Sequence, residues 1–517
     1  MGKRIYNILF HTHTVSGIVI SAALYVIFFT GSFSFFRDEI VSWERNQRVS
    51  EIDEIRIDFD AALDTLQSQY PLRGREIGFA HYYNEGRVSV NIAASKDTLS
   101  AKEAQKRDFF YLNESNFEKS TYRSGYSLGE FLYRLHFFAQ IPYPFGYYLS
   151  GAVAFFFLFA IITGILVHWN KIISNFYLFR PWAKLKTLWT DAHTALGVIG
   201  LPFQFVYAVT GAFFMLNLIF VAPVAFLFFD GDRDKLYDEL GYGHPEFVLE
   251  NQPLETSFSV GEFVNKTQER WEGFRVGHVI LHNYGDRSMH ITVEGKVPHK
   301  DLFSAEGHVV YQVATGDVVE VKDPFIERSY MDGVKATMHQ LHFGDYGGYG
   351  LRIISFILGL ISCFVIISGV MIWLVARNRK DVSDKQKRFN EWVARIYLAI
   401  CLSLYPVTAM TFIAVQVWEP AGRSFIYQFY FISWLILSIL FTAKRDNYFT
   451  NKYTLISGAV IGFFVPIANG IQTGNWLWES LATQDIHVFM VDSLWLTLSV
   501  AALFTVVLME SRKKRRI

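Results

Sequence analysis

Two stretches of this chain repeat each other in frame. Residues 10–36 read FHTHTVSGIVISAALYVIFFTGSFSFF, and residues 192–214 read AHTALGVIGLPFQFVYAVTGAFF. Each is apolar enough to cross a bilayer as a helix, which takes about 20 residues. His13 precedes Gly17 by four positions and Gly31 by 18, and His193 precedes Gly197 by four and Gly211 by 18. Thr30 and Thr210 stand directly before the second glycine. One histidine at a membrane edge is an ordinary interfacial or hydrogen-bonded side chain. The same histidine in the same frame of two spans predicts a duplicated unit that uses the two rings together.

The rest of the chain extends the membrane pattern. Eight segments have the length and character of spans, at about 10–36, 145–168, 194–220, 351–375, 391–417, 424–443, 452–472 and 487–509. With 51% hydrophobic and 17% aromatic residues, the sequence is too apolar for an ordinary soluble enzyme of this length. The first apolar run continues past a signal-peptide core and lacks an obvious small-residue cleavage site, so a retained first span is expected. Basic residues mark every second connection: Lys3 and Arg4, then Lys171, Arg180, Lys184 and Lys186, then Arg377 to Arg388, Lys444 to Lys452, and Arg512 to Arg516. The positive-inside rule places those segments and both termini in the cytoplasm. Two long loops then lie outside, in a periplasm if the cell is Gram-negative.

Both long loops show the same order of signals. In the first, Phe59 to Tyr70 has helical spacing, Ile77 to Tyr83 and Arg87 to Ile92 read as strands about an NEG turn, and Phe109 to Leu112 reads as a third. In the second, Val260 to Trp271 is helical, Arg275 to His282 and Met289 to Val293 flank a YGD turn, and His308 to Val313 precedes ATGDVV, a further hairpin turn. The expected fold is a mainly α membrane protein of eight transmembrane helices, the first four forming a duplicated unit of helix, periplasmic α+β domain and helix. The map is a first span at 1–36, an outer domain at 37–134, a second span with its preceding histidine segment at 135–169, and a cytoplasmic loop at 170–191. There follow a third span at 192–220, a second outer domain at 221–338, a fourth span with its histidine segment at 339–376 and a loop at 377–390. A separate four-helix block at 391–510 and a basic tail at 511–517 complete it.

The second and fourth spans also match. Leu135-His136-Phe137 precedes one and Leu341-His342-Phe343 the other, with Thr163-Gly164 and Ser368-Gly369 further along. The topology sorts the four histidines into a cytoplasmic pair, His13 and His193, and an outer pair, His136 and His342. Two neutral imidazoles on facing helices make a six-coordinate haem centre, suited to electron transfer rather than oxygen binding. Eighteen helical residues rise about 27 Å, close to the thickness to be crossed. Small residues beside the ligands (Ser16, Gly17 and Gly197) would let a flat macrocycle approach the backbone. His339 lies one turn before His342 and could replace it; His168, at the end of the second span, could replace His13 or His193. His11 points to another helix face than His13. His81, His244, His278, His282, His290, His299 and His308 fall in the outer loops, where surface and strand positions explain them, although His282 and His290 flank one hairpin and could meet a metal. His487 has no assigned role.

Several classes are excluded. The two cysteines, Cys363 and Cys401, lie inside apolar runs, and the chain has no CxxCH attachment motif, so any haem is held noncovalently. No dinucleotide fingerprint after a strand, Walker loop or HExxH motif is present. Electrons must come from elsewhere, either quinol or a separate cytoplasmic reductase. The net charge is zero, and the basic tail reads as a topology signal and lipid headgroup contact rather than a nucleic-acid patch.

The duplicated order of helix, outer α+β module and helix, with HxxxG in the first and third spans and LHF before the second and fourth, resembles the PepSY-associated transmembrane proteins. These are also called iron-regulated membrane proteins, and they include ferric-siderophore reductases. The resemblance covers about residues 1–378, and the last four helices look like an extension found in some members. Family helices often read HR or HLWLG where this chain has HTHTVSG and HTALG. The resemblance implies PepSY-like outer domains and two b-type haems held by His13, His193, His136 and His342. It also implies reduction of a periplasmic ferric siderophore or other ferric chelate, so that iron leaves as ferrous ion. Two other functions are consistent with the pattern: a transporter of an iron chelate built from duplicated halves, and a PepSY-type binding or regulatory membrane protein in which the histidines are incidental.

Overall fold

The computed structural model describes residues 2–47, 54–97, 101–177, 180, 183, 185–240, 246–298, 305–326, 330–418 and 421–514. His244, His299, Lys184 and the last three residues of the basic tail lie outside them. In chain order, α1 (Lys3–Ser34), α2 (Arg37–Arg45) and α3 (Phe59–Gln67) lead into β1 (Ile77–Ala80), β2 (Arg87–Ile92), β3 (Asp108–Asn113) and β4 (Lys119–Ser120). Next come α4 (Leu128–His136), α5 (Phe145–His168), α6 (Ile172–Tyr177), α7 (Leu185–Ile199), α8 (Leu201–Phe228), α9 (Arg233–Glu239) and α10 (Val260–Gln268). Then β5 (Arg275–His282), β6 (His290–Lys296), β7 (Glu306–Gln312) and β8 (Val318–Lys322) precede α11 (Tyr330–Phe343) and α12 (Gly348–Arg377). The chain continues with α13 (Asp384–Val417), α14 (Arg423–Lys444), α15 (Asn447–Thr473), α16 (Leu477–Ala482) and α17 (Ile486–Lys514).

Among the described residues, seven helices are long and apolar enough to cross a membrane: α1, α5, α12, α13, α14, α15 and α17. The third expected span is not one straight helix. It is the pair α7 and α8, bent by 68° where Ile199 gives way to Leu201, and it makes an eighth span if the pair is counted as one. The local cause is the sequence Gly200-Leu201-Pro202. Proline has no N–H to continue the ladder of the preceding helix but fits the first turn of a new one.

The chain divides into two compact units. The membrane unit comprises Met1–Asn46, Tyr126–Val221 and Leu341–Ile517. In it α1 packs against α4, α5 and α12, and α13 packs against α14 and α15. Small residues bring backbones close: a Cβ on Gly359 of α12 would sit 2.2 Å from Ser32 Oγ of α1. The last helices are not the separate block expected from their short loops. Phe33 of α1 meets Trp495 of α17 with ring centres 5.7 Å apart, and Trp43 of α2 meets Phe412 of α13 at 5.4 Å. The Trp43 indole N–H donates to the buried Asp492 carboxylate at 2.8 Å, and the Asn469 amide donates to it at 3.1 Å. Aromatic burial and a fully hydrogen-bonded polar cluster therefore tie the carboxyl-terminal helices to the first two.

The second unit comprises Gln47–Gly125 and Ala222–Gln340. The sequence predicts two separate outer domains at 37–134 and 221–338. Instead their strands form one antiparallel sheet in the order β4-β3-β2-β1-β5-β6-β7-β8. The join is β1 against β5, with Ile77 opposite Leu281 and Phe79 opposite Val279. Each four-strand module would leave an apolar edge strand bare, and pairing the two edges covers both. Asp60 of α3 accepts from Ser259 Oγ at 2.6 Å and from Val260 N at 2.8 Å, which caps α10. Leu63, Phe79, Val90, Leu281, Ile291 and Val309 share one core.

The closing hairpins are equivalent although their sequences differ. In the second module Gln312 N bonds Asp317 O and Gly316 N bonds Gln312 O; in the first, Asn113 N bonds Glu118 O and Phe117 N bonds Asn113 O. Gly316 sits at φ 74° and Phe117 at φ 55°. The first module's turn, in LNESNFEKS at 112–120, forms without the glycine of ATGDVV, with Phe117 taking the positive φ. Since a Cβ on Gly316 would touch nothing, Gly316→Ala isolates the backbone cost. It is expected to destabilise the protein by about 1 kcal/mol, read as a lower thermal midpoint of the full-length chain in detergent.

Candidate histidine centres

The four histidines that the repeat singles out come together as two pairs. His13 on α1 and His193 on α7 have ring centres 6.4 Å apart, with planes 69° apart. His136, at the end of α4, and His342, in the last turn of α11, have ring centres 6.0 Å apart, with planes 47° apart.

Each ring is held by a helix of its own half and faces the ring of the other half. His13 Nδ1 lies 2.9 Å from the Ala160 carbonyl on α5, and His193 Nδ1 lies 2.9 Å from the Val365 carbonyl on α12. His136 Nδ1 lies 2.7 Å from the Ile27 carbonyl on α1. A carbonyl only accepts, so Nδ1–H is the donor in all three and the lone pair is on Nε2. His342 Nδ1 lies 2.8 Å from Thr210 Oγ1, whose own proton goes to Val206 O at 2.7 Å. That hydroxyl therefore accepts, and the same tautomer follows. In His13, His136 and His193, Nε2 makes no protein hydrogen bond among the described residues. A hydrogen bond from Nδ1–H to a carbonyl fixes the ring's orientation and raises the basicity of Nε2.

The glycines of the repeat explain how the rings fit. A Cβ on Gly164 would meet His13 at 3.1 Å, and one on Gly369 would meet His193 at 3.3 Å. Ala160 stands four residues before Gly164, as Val365 stands four before Gly369. One α5 or α12 turn thus supplies both the accepting carbonyl and the gap that admits the ring. Ser368 Oγ donates to Val365 O and accepts from His193 Nδ1 at 3.0 Å. On α1, a Cβ on Gly31 would lie 2.5 Å from His136 Nδ1. In the second half, Tyr207 and Phe214 pack on His342, each with ring centres 5.2 Å away. Gly17 and Gly197 face open space, with no atom within 4 Å of an added Cβ. Sequence reasoning noted Thr210, Ser368, Gly31, Gly164 and Gly369 only as repeat markers, and gave Gly17 and Gly197 a place beside a macrocycle. The hydroxyl–glycine steps Thr30-Gly31, Thr163-Gly164, Thr210-Gly211 and Ser368-Gly369 were the available signal for a histidine cradle.

The donor set fits a metalloporphyrin. An iron bonded at roughly 2 Å to a nitrogen of each ring, each nitrogen about 1.1 Å from its ring centre, would hold the centres about 6 Å apart. Both observed separations match that. Ile27 lies 14 residues beyond His13 on α1, a helical rise of about 21 Å between the levels of the two centres.

The remaining candidates are placed less centrally. His168, at the end of α5, lies within electrostatic reach of both His13 and His193. His339 is exposed on the preceding turn of α11, and His11 is exposed beside Lys3 and Arg4. His282 bonds Glu76 at 3.1 Å and Thr292 at 3.0 Å, while His290 bonds Ser288 O and stacks on Phe247 with ring centres 3.7 Å apart. Among the described residues no group of three or more histidine, cysteine, aspartate or glutamate side chains is placed to hold a metal ion. His278 and His308 pair with Glu294 and Glu320 across neighbouring strands. His487 bonds Ser42 Oγ at 3.0 Å. The stretch Gly125-Tyr126-Ser127-Leu128-Gly129 has the spacing of a serine-hydrolase elbow, but buried Ser127 caps α4 by accepting from Glu130 N at 3.2 Å.

A family model described as the PepSY-associated TM region matches residues 10–376, most of the chain and all four paired histidines. The chain belongs to the PepSY-associated transmembrane family. It is a multi-pass membrane protein whose helices α13 to α17 lie beyond the family region. This PepSY-associated protein is also similar to an uncharacterized protein of Pseudomonas aeruginosa, 24% identical over 273 residues. That match covers 49% of this chain and 64% of the relative, so the chain spans less than two thirds of the relative's length.

Proposed function

We propose that this PepSY-associated membrane protein is a haem-dependent oxidoreductase of the bacterial inner membrane that carries electrons outward and reduces a ferric siderophore or similar ferric chelate. One observation carries the reading: two opposed imidazole pairs at different depths, every ring fixed through Nδ1, with separations suited to axial ligation. Haem b, held noncovalently at each pair, would supply a one-electron iron couple.

The chain's own residues do the rest. His13 and His193 would hold one group, and His136 and His342 the other, and a group held from both sides would serve electron transfer rather than oxygen binding. The carbonyls of Ala160, Val365 and Ile27 keep the rings from rotating, which keeps the ligand set constant as the charge changes. Iron(III) is held tightly by hard oxygen donors and iron(II) more weakly, so one electron suffices to loosen a chelate. The basic connections put both termini in the cytoplasm, with the bent pair α7–α8 counted as one of eight spans and the strand modules in the periplasm. The electron donor is quinol in the lipid or a cytoplasmic reductase.

The test is spectroscopic. Full-length protein purified from haem-replete cells is expected to show a Soret band, and after chemical reduction to be reoxidised by ferric siderophore with release of ferrous iron to a colorimetric chelator. A folded, haem-free preparation would sink the reading.

A further inference from the structure

Where α12 ends and α13 begins, a cavity of about 440 Å³ opens at the edge of the membrane unit. It is distant in sequence from every paired histidine, and half of its wall comes from helices outside the family region. Its charged lining is unequal: Arg377, Lys387, Arg395 and Arg445 face two carboxylates, Glu391 and Asp446. Both carboxylates are already engaged. Glu391 pairs with Arg395 at 3.0 Å, and Asp446 accepts from Tyr448 N at 2.8 Å and Phe449 N at 3.1 Å as the cap of α15.

The cations are under-matched. Arg377 lies over the Trp373 ring at 4.6 Å and Arg445 over the Trp392 ring at 5.3 Å, and neither pairs with a carboxylate among the described residues. Among the described residues Lys387 pairs with the exposed Asp384 alone, at 3.6 Å. Asn390 gives the second, independent sign. It is 3% exposed and lines the cavity. Its Oδ1 accepts from Gln386 at 3.1 Å, while its amide Nδ2 donates to no protein group among the described residues. The residue is buried while this donor is open to the cavity, so a group bound there accepts from it without displacing a protein partner.

We propose that this cavity binds a phosphate group, held by Arg377 and Arg445 and by the Asn390 amide. The phosphate belongs either to an anionic phospholipid headgroup at the membrane edge or to a soluble phosphate compound. A planar guanidinium matches two phosphate oxygens at once, and two of them beside a neutral amide donor select an oxyanion over a cation or a neutral headgroup. Basic pockets between helices at a membrane edge are suited to headgroup phosphates. The site is independent of haem, so its test stands whether or not the histidine pairs carry one.

The experiment uses full-length protein in lipid-free detergent. It is titrated separately with short-chain phosphatidylglycerol, inorganic phosphate and short-chain phosphatidylcholine, and binding is read by native mass spectrometry and thermal shift. Wild type is expected to bind one of the first two saturably and phosphatidylcholine at least about tenfold more weakly. Preference for phosphatidylglycerol assigns the lipid source; binding of inorganic phosphate assigns the soluble one. The double substitution R377Q/R445Q, and separately Asn390→Asp, which keeps the Gln386 bond but replaces the donor by an anion, are each expected to weaken binding about tenfold or more. A readout needing no variant accompanies them: acetylation of Lys387 in the wild type slows at saturating probe, while that of exposed Lys385 does not. Failure of both anionic probes to bind, unchanged affinity in both folded variants, or unchanged acetylation of Lys387 overturns the proposal.

Discussion

Alanine at His193 is expected to lower the haem content of protein from haem-replete cells from about two per chain to about one. His13→Ala should do the same, because the two rings face each other and each supplies one side of the same centre. His136 and His342 lie at the other level and should keep their haem, so the double substitution His13→Ala/His193→Ala loses no more than either single one. Combining His193→Ala with His342→Ala should leave almost none. The check is a pyridine haemochrome assay normalised to protein, with a redox titration to show which potential disappears. Equal haem content in wild type and in all four single variants would refute ligation by these residues. Retention of the first haem only when His168 is present would identify that residue, which sits beside the pair, as a substitute ligand.

Glu130→Ala is expected to be the most destabilising single change near the second pair. Glu130 and Arg37 are both buried, with Arg37 Nη2 2.7 Å and Nε 3.0 Å from Glu130 Oε2, and Arg134 Nε is 2.6 Å from Oε1. This ion pair clamps α4 onto α2, and α4 ends at His136. Removing the carboxylate takes from the buried Arg37 guanidinium its two-point partner, while Asp38 stays at 2.7 Å. A loss of about 3 kcal/mol is expected, at the lower end for a broken buried pair because Asp38 remains. The same change should release His136 and lower retention of the second haem, whereas the His13 centre is unaffected. Burial alone would raise the Glu130 carboxyl, but Arg37 and Arg134 more than offset it and hold it below the ordinary carboxylate range. With a depressed folded value, the unfolded chain takes up the proton first as pH falls. The stabilisation is fully present above the unfolded value, about 4.3, and is lost as pH drops through the folded value. Thermal midpoints between about pH 6 and pH 3 should fall more steeply in wild type than in Glu130→Gln. Parallel curves would show that the pair contributes nothing to acid stability.

Much of the membrane architecture was legible in the sequence because a bilayer imposes long apolar runs and little else satisfies them. The run lengths located most span ends to within a few residues, while α1 and α13 each begin seven residues before the expected span, at Lys3 and Asp384, because their helices continue through charged turns. The bend between α7 and α8 was not legible from hydropathy, which reads composition and not direction. Gly200 and Pro202 carried the signal, but a proline in an apolar run can kink a span, start a new helix or do nothing. In the strand modules, alternation placed β2 and β5 at their observed bounds. The pairing of β1 with β5 was invisible, because nothing in a strand states which edge it will meet.

The sequence by itself determined a duplicated membrane chain, the spans, the strand modules and the four histidines worth following, since periodicity and repeat frame are one-dimensional properties. Only the tertiary structure decided that the histidines meet across the two halves, which nitrogen each ring donates, that α5 and α12 open at Gly164 and Gly369 to receive them, and that two modules share one sheet. Those facts depend on distances between segments far apart in the chain, fixed by packing, and no local pattern of residues encodes them.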